Sequence, residues 1–228
     1  MAGAIFNTVP PLAAGAGIKF DGENISTAAA PRNFLDNSDF AYLVAQAGIG
    51  GKHGNVAYAA DRWKLTSGTA TYTAGIGLKL NGTITQVLER TPVGGSCFVG
   101  MVSGTATIAL NENTITITSS GGVIKWAALY AGTFTEENRP EYQPKGYGAE
   151  LAECLRYYQT LNGAYVASSG RVGISFSPHM RTNPAVTLSS WGGYDVKADY
   201  VYPFGLSCSG FGNSDDFVGV SLTAISDL

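Results

Sequence analysis

Ala106-Thr-Ile-Ala-Leu110, Asn111-Glu112-Asn113 and Thr114-Ile-Thr-Ile-Thr118 follow one another without interruption. Ala106, Ile108 and Leu110 alternate with small or polar residues, and Ile115 and Ile117 alternate with threonines. A period of two puts the apolar side chains on one face of an extended chain, with β-branched residues suited to a pleated sheet. Asn-Glu-Asn between the runs supplies a turn. The segment therefore reads as an antiparallel hairpin with one face buried. Upstream, Ile76, Leu78 and Leu80 alternate, Asn81-Gly82 gives a strong hairpin signal, and 83–88 continues as strand. Residues 97–102 form a short apolar run. Downstream, Gly121-Gly122 reads as another turn, and 123–130 as a buried strand carrying Trp126. Short, evenly spaced strands of this kind predict an antiparallel β-sandwich. Ser67-Gly-Thr-Ala-Thr71 recurs as Ser103-Gly-Thr-Ala-Thr107 and reads as shared turn-plus-strand composition, not as a repeat architecture.

Composition agrees. Charged residues make up 14% of the 228 residues, against about 25% in an average soluble protein. There are 30 glycines and 12 tyrosines, a balance that favours strands and turns over helices. Fourteen Lys and Arg face 17 Asp and Glu, a net charge of −3. That argues against a nucleic-acid binder, which needs a basic face. Cys97, Cys154 and Cys208 are odd in number and lack CxxC spacing, so three free thiols are expected, with neither a disulfide framework nor a zinc site. Such usage suits folding in a reducing cytoplasm. The first positive charge is Lys19 and Pro10-Pro11 interrupts the early apolar stretch, so no signal peptide is expected. No apolar run is long enough to insert into a membrane.

Residues 1–32 are rich in Ala, Gly and Pro and read as a leader or attachment arm, with strand–turn–strand character around 17–26. The β-sandwich is expected over 33–138. Glu136-Glu-Asn-Arg-Pro140-Glu-Tyr-Gln-Pro144-Lys-Gly146 reads as a linker. One helix is expected over 149–161, with Leu151, Cys154, Leu155 and Tyr158 on one face and Glu150, Glu153 and Arg156 elsewhere. Linker and helix occupy 139–162, and a smaller C-terminal β unit follows over 163–228. That unit is too small for a large core of its own and is expected to pack on a neighbour or on copies of itself.

Few groups point to chemistry. Gly48-Ile-Gly-Gly-Lys52-His53 fails as a phosphate loop, because His53 stands where a magnesium-binding Ser or Thr belongs. His53 and His179 are the only histidines, which excludes a His-rich metal site. The carboxylate pairs Asp36/Asp39, Glu136/Glu137, Asp195/Asp199 and Asp215/Asp216 read as solvated loop acids. Asn213-Ser-Asp215-Asp216 lacks the EF-hand pattern. No cofactor and no metal are expected. The aromatic crowd at Trp191, Tyr194, Asp195, Tyr200 and Tyr202, with Phe204 close by, reads in two ways. Exposed rings with a neighbouring carboxylate suit sugar binding, since pyranose rings stack their apolar faces on aromatic rings. Alternating aromatics also suit the core of the small unit, and alternation favours that reading. Trp63 and Trp126 lie in strand-like runs and read as core.

Five segments in order carry a resemblance: Asn33-Phe-Leu-Asp-Asn-Ser-Asp39-Phe40, Ala60-Asp61-Arg62-Trp63, Lys125-Trp126-Ala-Ala-Leu129, Tyr147-Gly148-Ala-Glu150-Leu-Ala-Glu-Cys154-Leu-Arg156-Tyr157-Tyr158-Gln159, and Phe176-Ser-Pro-His-Met180-Arg181-Thr-Asn183-Pro184. The series, over about 33–190, resembles tailed-bacteriophage and prophage fibre or receptor-binding proteins. The helix motif is the most specific part. Asp36 and Ser38 depart from the usual opening motif, the first sandwich is shorter than usual, and the leader is far shorter than a long fibre's shaft. The resemblance therefore implies a short virion appendage (fibre, tail tip, baseplate or head). It implies a carbohydrate-binding-module-like jelly roll, homotrimers, and attachment to other virion proteins through the N-terminal arm. Synthesis in the bacterial cytoplasm and adhesion to bacterial surface polysaccharide follow as expectations, without enzymatic activity. A pure decoration or assembly protein and a glycan hydrolase are the alternatives.

Overall fold

The computed structural model describes residues 18–20, 25–27, 31–167, 171–190, 195–211 and 217–226, with side chains described outside 18–20, 25–27, 162–167, 190, 195, 210–211 and 217–220. The described residues are mostly antiparallel β with one helix, as the sequence pattern predicts. Strands β1 (Ile18–Phe20) and β2 (Ile25–Thr27) form a small hairpin in the expected strand–turn–strand segment. The larger unit is a seven-stranded sheet of β3 (Lys52–His53), β4 (Val56–Ala60), β5 (Trp63–Thr73), β6 (Gly77–Val87), β7 (Ser96–Ser103), β8 (Ala106–Asn111) and β9 (Thr114–Tyr130). Its order is β3-β4-β5-β6-β9-β7, with β8 also paired to β9.

The hairpin around Asn111-Glu112-Asn113 forms as expected, between β8 and β9. Other glycine signals mean something different. Asn81-Gly82 lies inside β6, and the chain reverses instead around Gly75. Gly121-Gly122 lies inside the 17-residue β9. In register, Gly68 faces Gly82, Gly82 faces Ser119, and Ser119 faces Ala106. Gly68, Gly82, Gly104 and Gly121 all have positive φ, at 79°, 140°, 72° and 97°. They form a line through β5, β6 and β9 to the turn between β7 and β8, along which the sheet creases. Close approach explains the glycines: a Cβ on Gly82 would lie 2.1 Å from the Ser67 carbonyl oxygen, and one on Gly68 1.9 Å from that of Asn81. The two Ser-Gly-Thr-Ala-Thr copies supply two of these crease points.

Folding along the crease lets both halves of each long strand line one core. Leu78, Leu80 and Ile84 of β6 and Ile115, Ile117, Ile124, Ala127 and Leu129 of β9 share it with Trp63, Leu35 and Phe40. Leu110 of β8 and Leu129 of β9 both approach Gly95, so the far ends of the folded hairpin converge. Bulges keep the faces in phase. Gly121 and Lys125 are extra residues in β9, and the buried positions shift parity from Ile117 to Ile124 and again to Ala127.

The segment 136–146, expected as a linker, returns to the sheet's outer face. Tyr142 stacks on Trp126 with centroids 4.9 Å apart, and Phe134 and Tyr142 join Phe98, Ala128 and Tyr130 in a second cluster. Trp63 is wholly buried, whereas Trp126 is half-buried on this outer face. Helix α1 (Tyr147–Cys154) is shorter than 149–161. It stops because Tyr157 and Tyr158 have separate destinations: the Arg62 guanidinium lies 3.5 Å over the Tyr157 ring, and Tyr158 stacks on His53 at 3.8 Å.

Strand β10 (Tyr158–Ala167) therefore starts the C-terminal unit five residues before the expected boundary at 163. The other strands are β11 (Arg171–Ser175), β12 (Ala185–Ser190), β13 (Asp195–Tyr202), β14 (Gly205–Phe211) and β15 (Phe217–Ile225). Sheets β10-β15-β12 and β11-β14-β13 enclose Ile174, Phe176, Met180, Leu206, Cys208, Leu222 and Ala224. This core is small, as expected, and the unit leans on its neighbour. His53 lies between Tyr58 and Tyr158, and the Gln46 amide donates to the Tyr158 carbonyl at 2.9 Å.

The crease predicts a contrast between two glycines of positive φ. Gly82→Ala should cost about 3 kcal/mol or more, through steric conflict added to strain. Gly75→Ala, with nothing within 4 Å of its added Cβ, should cost about 1–2 kcal/mol. Urea unfolding of both variants measures the difference, and equal losses would remove the crease argument.

Candidate functional site

Of the residues expected to bind sugar, Tyr200 and Tyr202 stand on the outer face of the C-terminal unit, 58% and 45% exposed. Alternation alone would place them inside, in phase with Val196 and Ala198, which pack on the core. A bulge at Asp199 changes the phase. After it, Val201 packs inward and the two tyrosines face out. The Asp199 carboxylate sits in the bulge: Ser209 Oγ donates to it at 3.1 Å, and Arg171 Nε lies 3.5 Å away. Phe204 extends the row, 55% exposed, stacked on Tyr202 at 5.1 Å and 1° from parallel. His179 meets the Phe204 ring edge-on at 6.2 Å. Backbone hydrogen bonds from Phe176 to Phe204 and from Met180 to Pro203 fix the turn that carries the ring. Three rings in a row on a strand and its turn form a ribbon that can stack on successive sugars of an extended chain. Trp191 and Tyr194 lie outside the described residues. Asp195 opens β13 opposite Phe211. Phe204 belongs with the site, and its place in Tyr202-Pro203-Phe204 was the signal for it.

The motifs that carry the family resemblance meet elsewhere, in a buried polar hub. Asn33 bonds at all its side-chain valences: its carbonyl oxygen accepts from Leu35 and Leu129 N–H, and its amide donates to Ser38 Oγ and the Ala127 carbonyl. Asn37, at φ 50°, donates to the carbonyls of Val44 and Asp61, accepts from Val44 N–H, and receives the Trp63 indole N–H on its own carbonyl. Arg62, at φ 70°, reaches Asp36 at 3.2 Å and the Val87 carbonyl at 2.7 Å, with Tyr157 against its face. Helix α1 contributes Glu150, which is buried although the helical pattern places it away from the apolar face. Its two carboxylate oxygens accept the backbone N–H groups of Asn37 and Ser38. Burial pushes the Glu150 carboxyl above the ordinary 4.5, with Lys145 and the two N–H groups pulling the other way. These residues hold the separate segments 33–38, 61–63, 127–129 and 150–157 together. None of them projects into solvent as a ligand contact would.

A cavity of about 300 Å³ beside the hub is lined by Arg32, Asp36, Glu89, Glu153 and Arg156 among others. Its charges pair internally: Arg156 with Glu89 at 3.0 Å and Lys145 with Glu153 at 2.6 Å. Asp36, expected as a solvated loop acid, is drawn in by Arg62 at 3.2 Å and shares Lys145 with Glu153. Cys97, Cys154 and Cys208 are free thiols, and burial raises the pKa of each, that of Cys97 to about 11. They stay protonated and weakly nucleophilic near neutrality. Among the described residues no group of three or more His, Cys, Asp or Glu side chains is arranged to hold a metal, and no helix is long and apolar enough to cross a membrane. The Asn213-Ser-Asp215-Asp216 stretch lies outside the described residues. The chain matches no protein-family model, no curated protein and no solved structure.

The hub carries a prediction with a defined sign. Glu150→Ala strands two buried N–H donors and should lose about 2–4 kcal/mol. Because the Glu150 carboxyl titrates higher folded than unfolded, the native state binds its proton more tightly. Its contribution to stability therefore falls as pH rises from 4.5 through the folded value, then stays flat. Urea unfolding against pH should show that slope in the wild type and not in Glu150→Gln. Identical profiles would contradict it.

Proposed function

We propose that the protein is a structural component of a tailed-phage virion, a short appendage with a jelly-roll-like platform, and that it contributes to binding bacterial surface polysaccharide. The observation that carries the adhesive part is the ribbon of Tyr200, Tyr202 and Phe204, turned outward by the Asp199 bulge. Large rings at a protein surface, arranged in a row on rigid elements, mark binding surfaces. The five-motif resemblance supports the virion part. In this reading the motif residues supply the scaffold, through the hub, and the ribbon supplies the contact. Homotrimers would present three ribbons together, so that weak single contacts add through avidity. Decoration without receptor binding is the second reading, favoured by the absorption of every described motif residue of the hub into the scaffold.

Purified full-length protein should bind bacterial cells and their extracted polysaccharide. The double variant Tyr200→Ala/Tyr202→Ala should reduce binding at least about tenfold, while its unfolding free energy stays within about 0.5 kcal/mol of wild type, as both rings are exposed. Unchanged binding would remove the ribbon as the site. Absence of binding in the wild type, with the protein present in purified phage particles by mass spectrometry, would select decoration.

A further inference from the structure

A second aromatic site lies on the larger unit, at the outer face of β9. Trp126, Tyr142 and Tyr42 line an open cleft of about 420 Å³ together with Asp39, Lys125 and Arg139. The volume falls within the range of about 300–1,000 Å³ usual for small-ligand sites. Its aromatic wall is fixed before any ligand arrives. The Trp126 indole lies flat across Gly100 of the neighbouring strand, where a Cβ would come within 2.1 Å of the ring. Tyr142 stacks on the indole at 6° from parallel, and the Arg139 guanidinium lies 4.9 Å over it. The Tyr142 hydroxyl is 3.4 Å from Ser38 Oγ, which ties the wall to the hub. Tyr42 also lines the cleft, 61% exposed. At the base, one carboxylate oxygen of Asp39 accepts the Ala41 N–H at 3.1 Å, and Lys125 acts on the same carboxylate.

We propose that this cleft is a second carbohydrate subsite, one that takes a single neutral pyranose residue against Tyr42 and the Trp126–Tyr142 wall. Two acids, Asp39 and Glu141, face two bases, Lys125 and Arg139, along the lining, so no net charge selects an ionic ligand. A pyranose offers both features that the cleft can use. Its axial C–H face stacks on an aromatic ring, and its hydroxyls donate to carboxylates and accept from cationic groups. The ligand class rests on the adhesion reading above; the location does not, since the cleft and the ribbon lie on different units and share no residue. Lys125 is the extra residue of the second β9 bulge, so a bulge adjoins each of the two aromatic sites.

The test uses full-length protein and methyl glycosides of glucose, galactose, mannose and N-acetylglucosamine, followed by saturation-transfer NMR and titration. At least one glycoside should bind. Tyr42→Ala should weaken that binding about tenfold with an unchanged melting temperature, and Tyr200→Ala/Tyr202→Ala should leave it intact. Absence of binding by all four glycosides overturns the proposal, as does binding indifferent to Tyr42→Ala. If binding is lost only in the Tyr200/Tyr202 variant, the cleft falls and the ribbon stands; the ribbon itself is judged by the polysaccharide binding above, so failure of the two sites is distinguishable.

Discussion

Glu150 holds together parts of the chain that are far apart in sequence. One buried carboxylate on a short helix accepts two backbone N–H groups from the turn at Asn37 and Ser38. That turn in turn accepts the indole N–H of Trp63, the largest fully buried side chain of the main core. Asn37 and Arg62 both adopt left-handed backbone conformations there. For Asn the strain is small, but for Arg it is of order 1–3 kcal/mol. It persists because the guanidinium has three partners at once: Asp36, the Val87 carbonyl and the Tyr157 ring. The chain after the helix continues straight into the C-terminal unit, with Ser226 donating to the carbonyls of Arg156 and Tyr157. The hub therefore sets both the entry of the first unit and the attachment of the second.

The fold class was legible in the sequence because two-residue periodicity is a direct consequence of the pleat. Ile115 and Ile117 point inward, as their alternation with threonine requires. The strand count was less legible. Glycine marks both turns and places where backbones approach closely, and nothing local to Asn81-Gly82 or Gly121-Gly122 tells the two apart. Only the register does, by placing Gly68, Gly82 and Ser119 side by side. The repeated Ser-Gly-Thr-Ala-Thr was the available clue, since two strands that bend along one line call for the same local solution. The helix end was hidden for another reason: Tyr157 and Tyr158 satisfy the helical pattern, and tertiary partners on opposite sides override it.

The candidate site was partly legible. The aromatic crowd in 191–204 was visible as a cluster, and of its members Tyr200 and Tyr202 face outward because of one extra residue, Asp199. A bulge has no sequence signature as plain as a turn, so alternation alone favoured the core. The cleft beside Trp126 was not legible at all. Its walls come from β9, from the turn after Asp39 and from the segment around Tyr142, which reads as a polar linker until Tyr142 is seen stacked on the indole. At the ribbon, motif residues and contact residues separate, whereas the cleft draws Asp39, Lys125 and Trp126 from the motifs. The hub residues of the motifs are buried and solve the problem of folding, while the ribbon's rings face solvent.

That separation is tested most directly by hydroxyl-radical footprinting of the full-length protein with and without bacterial O-polysaccharide, read residue by residue in a mass spectrometer. Bound polysaccharide should protect Tyr200, Tyr202 and Phe204 while the labelling of Trp63 and Tyr157 stays unchanged. Protection at the hub residues, or none at the ribbon under conditions where the polysaccharide binds, would contradict the account.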